Sequence, residues 1–453
     1  MRHVARALCL TPACVQLASE YVKNLSPNYK QLDACTNFDE LVCGGWKQRT
    51  EVTGNQIKSI FDELADSGNA RLKSVIEGPY PGESSHSHFS PRSLEVRQSM
   101  VDRQNFDKMK LAYTACLDED AMVKAGVKPV VKLLDELEGV FKHDDWTDAY
   151  LLVQKMGYYP LLSLFMSLAL GDTQTKVVSI LDRVGLSLSN PSLYQDKEIM
   201  AEYTSILAEI LAAVQQPTDA PTKDAKKLAE EIVKFEQALA TINRPSNSML
   251  RDPQYGNITV SVAEASRLLP QLSLEKVLGK LVTGGYKGKV FIEKPAFLSN
   301  LSSILTNTSS ETVKGFFAWK LVQAGRQFTK APEVYSRWEK LLVKLKQMTD
   351  PALLPSEARW EYCMAFVSSN LGWLVSRFFV EGFFSARDKE LSDQILADIR
   401  HVYIERFKGL DWMDAETKKK AIEKVEKMSQ KVGYPTKVSF SNSQECGDDA
   451  DGM

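Results

Sequence analysis

Apolar residues at helical spacing follow one another along almost the whole chain of 453 residues, and this pattern constrains the fold more than any other feature. Thr11-Pro12 supplies an N-cap and a proline at the first helical position, and an apolar stripe follows as far as Asn24. Asp144 is the expected N-cap of the helix that contains Trp146. Further helices are predicted over 57–76, 95–115, 129–140, 145–156, 197–215, 222–242, 273–283, 310–326, 333–348, 357–384, 388–408 and 414–432.

Only a small amount of β-structure is expected. Between residues 162 and 181, two apolar runs flank Gly171-Asp172-Thr173-Gln174, a pattern typical of a β-hairpin. A short strand is predicted over 289–293. The expected fold class is therefore mainly α: a large multi-helix domain with a small β-hairpin.

Composition excludes several classes of protein. Charged residues make up 25% of the chain and hydrophobic residues 44%, which is ordinary for a globular protein and excludes intrinsic disorder. The net charge of -2 gives no basic field, so nucleic acid is not an expected partner. The longest apolar stretch, 158–170, is shorter than the ~20 residues that a membrane-spanning helix needs, so no transmembrane segment is predicted.

Cysteines and sequons indicate an oxidising compartment. Four of the seven cysteines lie within the first 43 residues, a density typical of disulfide frameworks. Four Asn-x-Ser/Thr sequons make Asn24, Asn257, Asn300 and Asn307 candidates for glycosylation. No signal peptide is visible after Met1, so a secreted chain would have its true N-terminus further upstream.

Catalytic and metal-binding patterns are scarce. The five histidines are His3, His86, His88, His143 and His401, and none forms the His-Glu-x-x-His motif that places two zinc ligands on one helical face. The sequence also lacks a Gly-x-Ser-x-Gly elbow and a phosphate-binding loop. We assign no catalytic residue and no metal ligand.

The remaining histidine and cysteine pairs do not indicate a metal site or a catalytic nucleophile. His86 and His88 lie in a serine-rich loop with no further ligand nearby, and His401 with Glu405 is better interpreted as a surface hydrogen bond. Cys116 and Cys363, both at helical positions, are better interpreted as partners of each other than as nucleophiles.

A series of landmarks in fixed order carries a family resemblance. They are Cys9-Leu-Thr-Pro-Ala-Cys14, Cys35-Thr-Asn-Phe-Asp-Glu-Leu-Val-Cys-Gly-Gly-Trp46, the segment around Cys116, Arg359-Trp360 to Cys363, Leu371-Gly-Trp to Val380-Glu381, Leu410-Asp-Trp-Met-Asp414 and Val432-Gly-Tyr-Pro435. Together they resemble the N-terminal portion of the neprilysin family of zinc metallopeptidases, which includes the endothelin-converting enzymes. The resemblance covers about residues 9–435.

In that family a helical lid covers a thermolysin-like catalytic domain and admits only oligopeptides. The zinc ligands lie downstream of the Val-Gly-Tyr-Pro landmark. The resemblance therefore implies the N-terminal half of a neprilysin-like two-domain peptidase, truncated before its zinc motif. No cofactor is expected in this chain, although full-length members of the family bind zinc. The partners that the resemblance implies are oligopeptides and the catalytic domain.

The implied organisation has three parts. Residues 1–50 form an N-terminal segment that packs on the catalytic domain, 51–435 form the helical lid, and 436–453 form a tail without a family counterpart that is not expected to fold. The chain is then the N-terminal domain of an oligopeptide-cleaving zinc metalloendopeptidase, secreted or on the extracellular face of a membrane, and inactive alone. The alternatives are a non-catalytic peptide-binding or decoy module, or a gene-model fragment without a function of its own.

The resemblance also implies the cysteine pairing. Cys9 would pair with Cys14 and Cys116 with Cys363, while Cys35 and Cys43 would pair with cysteines of the catalytic domain. Cys446 has no family counterpart. Members close to neprilysin itself hold the terminal carboxylate of the substrate with two arginines, and aligning that motif on Phe61 puts Ile57 and Ala65 at those places, so the clamp is not carried over.

Overall fold

A computed structural model describes most of the chain. The described residues are 10–50, 58–81, 96–142, 145–169, 175–188, 190–215, 225–243, 257–282, 285–331, 334–349 and 358–434. The predicted tail 436–453, Asp144 and the turn at Gly171 lie outside these residues.

Helices dominate the described residues, as the sequence predicts. In chain order the α-helices are α1 (Pro12–Asn24), α2 (Phe38–Arg49), α3 (Ile60–Glu77), α4 (Val96–Leu117), α5 (Glu119–Ala125), α6 (Lys128–Val140), α7 (Thr147–Lys155), α8 (Lys197–Gln215), α9 (Ala225–Ile242), α10 (Val262–Leu268), α11 (Leu274–Leu281), α12 (Pro295–Thr306), α13 (Ser310–Gly325), α14 (Tyr335–Thr349), α15 (Arg359–Asn370), α16 (Gly372–Phe383), α17 (Ala386–Lys408) and α18 (Ala415–Glu426).

Side-chain caps explain where several helices begin. The hydroxyl of Thr11 accepts a hydrogen bond from the Cys14 amide at 3.3 Å, and α1 starts at the proline that the sequence places there. Asp414 caps α18 through the Thr417 amide at 2.9 Å. Each cap satisfies an amide that has no partner within its own helix.

A four-stranded sheet interrupts the helices. Its strands are β1 (Ser163–Leu168), β2 (Lys176–Leu181), β3 (Ile258–Ser261) and β4 (Lys289–Ile292), in the order β1-β2-β4-β3. β1 and β2 form the predicted antiparallel hairpin, β2 pairs with β4 in parallel, and β3 pairs with β4 in antiparallel. The hairpin is thus one half of a larger sheet, because β4 pairs with β2 and β3 pairs with β4. Strand β3 was not predicted.

One helix prediction was wrong, and four helices were not predicted: α2, α5, α10 and α12. The stretch 357–384 is not one helix, because the chain turns at Leu371 and α15 and α16 lie at 106° to each other. Helix α2 was not predicted, because Gly44 and Gly45 weaken its helical pattern. No single helix among the described residues is long and apolar enough to cross a membrane, although α15 and α16 taken together pass a test of length and composition.

The glycines of α2 are required by close packing against the end of α1. A Cβ on Gly45 would lie 2.2 Å from the carbonyl oxygen of Leu25 and 2.5 Å from that of Lys23. The Arg49 guanidinium donates to the same Lys23 carbonyl at 2.8 Å. Gly44 and Gly45 disfavour a helix locally, but they are needed for α2 to pack against the end of α1.

The chain divides into two compact units. The first consists of residues 1–70 with 344–356, and the second of 71–343 with 357–453. In the first unit, the Trp46 indole nitrogen donates to the Glu63 carboxylate at 2.6 Å and joins α2 to α3. The predicted domain boundary at residue 50 stays a prediction.

The second unit has two apolar centres. One surrounds the Cys116–Cys363 disulfide and includes Phe106, Tyr113 and Phe378. The other surrounds α13, which is buried along nearly its whole length from Thr312 to Gly325. Trp319 at its middle packs edge-to-face on Trp338 of α14, with ring centroids 5.3 Å apart.

Candidate functional site

Metal-binding geometry is absent from the part of the chain that the structure describes. No group of three or more His, Cys, Asp or Glu side chains lies close enough there to hold an ion. His401 is exposed on α17, and its expected partner Glu405 instead accepts a hydrogen bond from the Lys408 amine at 2.6 Å, which holds the pKa of the Glu405 carboxyl below its ordinary value. His3, His86, His88 and His143 lie outside the described residues.

A disulfide joins Cys116 of α4 to Cys363 of α15, with the two Cα atoms 5.6 Å apart. The guanidinium of Arg359 donates to the Cys116 carbonyl from Nε at 3.0 Å and from Nη2 at 2.7 Å. Covalent and polar contacts therefore fix α15 on α4, in the middle of an apolar centre. The other expected pair involves Cys9, outside the described residues, as is Cys446.

Two free thiols lie in the first unit. Cys35 is exposed in the turn before α2, where its amide donates to the Asp33 carboxylate at 3.0 Å, and Cys43 is half-buried within α2. An exposed thiol in an oxidising compartment forms a disulfide when a partner cysteine comes within reach. The pairing of both with a catalytic domain stays a prediction.

The sequon asparagines lie in unlike surroundings. Asn300 and Asn307 are exposed, on α12 and at its C-cap. Asn257 is half-buried just before β3, and Asn24 is half-buried with its side-chain oxygen accepting from Arg49 at 2.5 Å. Glycosylation at these positions stays a prediction.

The most extensive candidate for a functional surface is an apolar stripe on α17. None of the 23 residues of this helix is buried. The stripe consists of Leu391, Ile395, Leu396, Ile399, Val402 and Tyr403, which are between 38% and 60% exposed. Their spacing of three and four residues places them along one side of the helix.

Another side of α17 is occupied by the segment around α18. Lys389 donates to the Val432 carbonyl at 2.8 Å, Gln430 donates to the Asp393 carboxylate at 2.7 Å, and Arg400 donates to the Val425 carbonyl at 3.1 Å. At 100° per residue, these contacts lie ~115° around the helix from the centre of the stripe. Most of the stripe therefore lies to one side of the surface that α18 covers.

Smaller exposed apolar groups lie on both units. In the first unit they include Tyr21 and Val22 of α1 and Phe61 and Leu64 of α3, and in the second unit Trp412 is 76% exposed. Soluble monomers rarely expose contiguous apolar patches of more than a few hundred Å², and larger ones mark interaction sites. These exposed side chains are candidates for contact with a partner.

A buried polar cluster could be mistaken for a catalytic site. The Glu236 carboxylate of α9 accepts from the Lys320 amine at 2.8 Å, the Ser187 hydroxyl at 2.6 Å and the Tyr203 hydroxyl at 2.7 Å. Burial lowers the pKa of Lys320 and raises that of Tyr203 well above its ordinary value. Glu236 and Lys320 are almost completely inaccessible, so the cluster joins α9 to α13 and offers no access to a substrate.

A shallow groove of about 650 Å³ lies between α8 and α9. Met200, Ala201 and Ala208 line it on one side, and Glu230, Val233 and Lys234 on the other. Its lining combines apolar and charged groups.

The fold is similar to part of the solved structures of two bacterial peptidases. The inhibitor complex of the zinc metalloprotease Zmp1 from Mycobacterium tuberculosis superposes with a TM-score of 0.67 at 20% identity, covering 91% of this chain and 59% of that one. PepO from Lactobacillus rhamnosis superposes with a TM-score of 0.62 at 16% identity, covering 90% and 60%.

The sequence comparisons identify the family. The N-terminal model of peptidase family M13 matches residues 34–435, and the chain belongs to that family. Mouse endothelin-converting enzyme 1 is 23% identical over 441 residues, covering 94% of this chain and 53% of the enzyme. Mouse neprilysin is 23% identical over 473 residues, covering 98% and 59%. The resemblance seen in the sequence is confirmed, and the chain spans little more than half the length of these relatives.

Proposed function

We propose that this chain forms the helical, non-catalytic portion of a zinc metalloendopeptidase that cleaves oligopeptides. The observation that carries the proposal is the match of the M13 N-terminal model to residues 34–435. The zinc ion and its ligands would then belong to a portion of the peptidase outside this sequence, since the sequence holds no His-Glu-x-x-His motif. The chain alone would be inactive.

The exposed surfaces support this role. The stripe on α17 and the apolar groups of α1 and α3 would be covered by the catalytic portion, which would remove them from water. Cys35 and Cys43 would form disulfides with cysteines of that portion. These bonds need an oxidising compartment, which agrees with a secreted protein or one at the outer face of a membrane.

A cleavage assay tests the proposal directly. The purified chain is mixed with an internally quenched oligopeptide, with zinc present and then with a chelator added. We expect no chelator-sensitive cleavage, because water activation needs a bound metal. Cleavage that the chelator abolishes, and that a trace-protease control does not explain, would contradict the proposal.

A second candidate function is peptide binding without catalysis, and the groove between α8 and α9 is the observation that favours it. Binding of a labelled oligopeptide should then saturate, and Ala201→Trp should weaken it at least tenfold by filling the groove. Ala397→Trp, exposed on α17 and not part of the groove lining, is the control and should bind normally. Equal binding by both variants would exclude the groove.

A further inference from the structure

The hairpin strand β1 forms one edge of the sheet. The strand order places β2 on one side of it, and among the described residues no strand pairs with the other side. An open edge presents a row of backbone amides and carbonyls to which another strand can bond.

The hydrogen-bond register shows which groups point outward. The Ala169 amide donates to the Thr175 carbonyl at 2.8 Å, so this pair bonds across the hairpin. Bonded and non-bonded pairs alternate in an antiparallel ladder, so Phe165 and Ser167 bond to β2. The backbone groups of Leu164, Met166 and Leu168 therefore point toward the open edge.

An independent contact supports this register. Val178 lies opposite Met166, and its amide donates to the Tyr286 hydroxyl at 3.0 Å, on the side of β2 away from β1. At the outer edge, the Leu168 carbonyl has one long contact of 3.5 Å with the Ser167 hydroxyl. Within the part of the chain that the structure describes, three successive outward positions thus remain available to a strand.

The side chains of β1 also suit an apolar partner. Phe165 is 42% exposed, Met166 51% and Leu168 48%. The strand Ser163–Leu168 contains no charged residue and no proline, the devices with which proteins ordinarily protect an edge. Met166 and Leu168 stand on the same face of the strand, two residues apart.

The size of this edge indicates whether a short peptide or a second copy of this chain would bind to it. Six residues extend over ~20 Å, and a strip one strand wide covers only a few hundred Å². A stable dimer buries about 800 Å² on each partner. The area therefore favours a short peptide over a second copy of this chain.

We propose that the outer edge of β1 binds an extended peptide as a fifth strand of the sheet. Backbone bonds to Leu164, Met166 and Leu168 would supply the affinity. Apolar side chains at alternate positions of the peptide would pack beside Met166 and Leu168 and supply the selectivity. Such binding needs neither zinc nor a catalytic portion, so its test is independent of the test of the proposed function.

The test uses a fluorescein-labelled octapeptide of alternating valine and threonine with a lysine at each end, titrated with the full chain by fluorescence anisotropy. Two further peptides carry N-methyl groups at the odd or at the even central positions. We expect saturable binding of the parent peptide, and a loss of at least tenfold for one methylated peptide only, because successive amides point to opposite sides of a strand. No saturable binding, or equal effects of both methylated peptides, would overturn the proposal.

A pair of variants identifies the edge itself. Met166→Pro removes one outward amide without removing a bond to β2, and should weaken binding at least tenfold. Met166→Ala keeps that amide and should weaken binding less than threefold. Equal losses in two variants that melt like the parent chain would mean that only the apolar surface matters. Dimerisation that Met166→Pro abolishes, without peptide binding, would make a second copy the occupant and also overturn the proposal.

Discussion

At the scale of single residues, the buried pair of Glu236 and Lys320 sets the strictest requirement in the second unit. Side-chain exposure is 0% for Glu236 and 2% for Lys320. The hydroxyls of Ser187, Tyr194 and Tyr203 complete the hydrogen bonds of the carboxylate. Breaking one member of such a pair leaves the other charge buried without compensation.

Glu236→Gln is therefore expected to lower the free energy of unfolding by about 3–5 kcal/mol. The double variant Glu236→Gln with Lys320→Met removes both charges and should recover much of that loss, since paired charges are often replaceable by apolar residues. Urea unfolding followed by circular dichroism measures both. A single variant within ~1 kcal/mol of the parent would show that the cluster contributes little.

The buried tyrosines predict a dependence of stability on alkaline pH. Burial is the main cause that raises the pKa of Tyr150, Tyr194 and Tyr203 above the ordinary value of 10.0. Above that pH the unfolded chain loses these protons while the folded chain keeps them, so stability falls as pH rises. The lowered pKa of Lys320 has the opposite effect on stability, but it is one group and the tyrosines are three.

We expect the melting temperature to fall above pH ~10, and tyrosinate absorbance to show a fraction of the 15 tyrosines that ionises only on unfolding. Tyr203→Phe should make the fall shallower. Complete tyrosine ionisation in the folded chain would contradict this explanation.

Two glycines of the first unit predict opposite effects of the same substitution. In Gly45→Ala the new methyl group would meet the Leu25 carbonyl at 2.2 Å, whereas Gly68 of α3 has open space around it. Gly45→Ala should destabilise by about 1–3 kcal/mol through overpacking, and Gly68→Ala should stabilise by about 0.5–1 kcal/mol through helix propensity. Chemical unfolding followed by circular dichroism would measure both. Equal effects of the two would mean that the close approach of α1 and α2 is not formed.

At the scale of elements, one side of α17 carries the exposed apolar stripe and another side bonds to the segment around α18. Leu391→Glu with Ile399→Glu changes only the exposed stripe, so it should reduce self-association and dye binding while the melting temperature stays unchanged. Arg400→Glu, on the other side, loses its bond to the Val425 carbonyl and should lower the melting temperature. Analytical ultracentrifugation and thermal melts distinguish the two. A stripe variant that melts early would show that the stripe packs within the chain.

The sequence predicts the helices with strong apolar stripes, such as α8 and α17, because the helical period is a local property. The sequence does not show whether the stripe of α17 is exposed or part of the core. The apolar period shows which residues lie on the same side of a helix, but not what packs against that side. The turn at Leu371 and the Gly44-Gly45 helix depend on contacts with other elements. The residues of the Glu236 cluster are distributed from Ser187 to Lys320, so no local pattern brings them together.

At the scale of the whole molecule, the family, the fold and the exposed surfaces are consistent with a helical portion that completes a larger peptidase. The Cys116–Cys363 disulfide, whose two cysteines both lie in the second unit, closes a loop of 247 residues. In the chain-entropy model a loop of that length stabilises the folded state by about 5 kcal/mol. The helical portion is thereby held together independently of any catalytic portion.

Zinc stoichiometry is the most direct test of the central claim. The purified chain is dialysed against micromolar zinc, then against metal-free buffer, and its metal content is measured by mass spectrometry. The proposed role predicts far less than one zinc ion per chain, because the sequence lacks His-Glu-x-x-His and the described residues provide no group of three ligands. One tightly retained zinc ion per chain would contradict it.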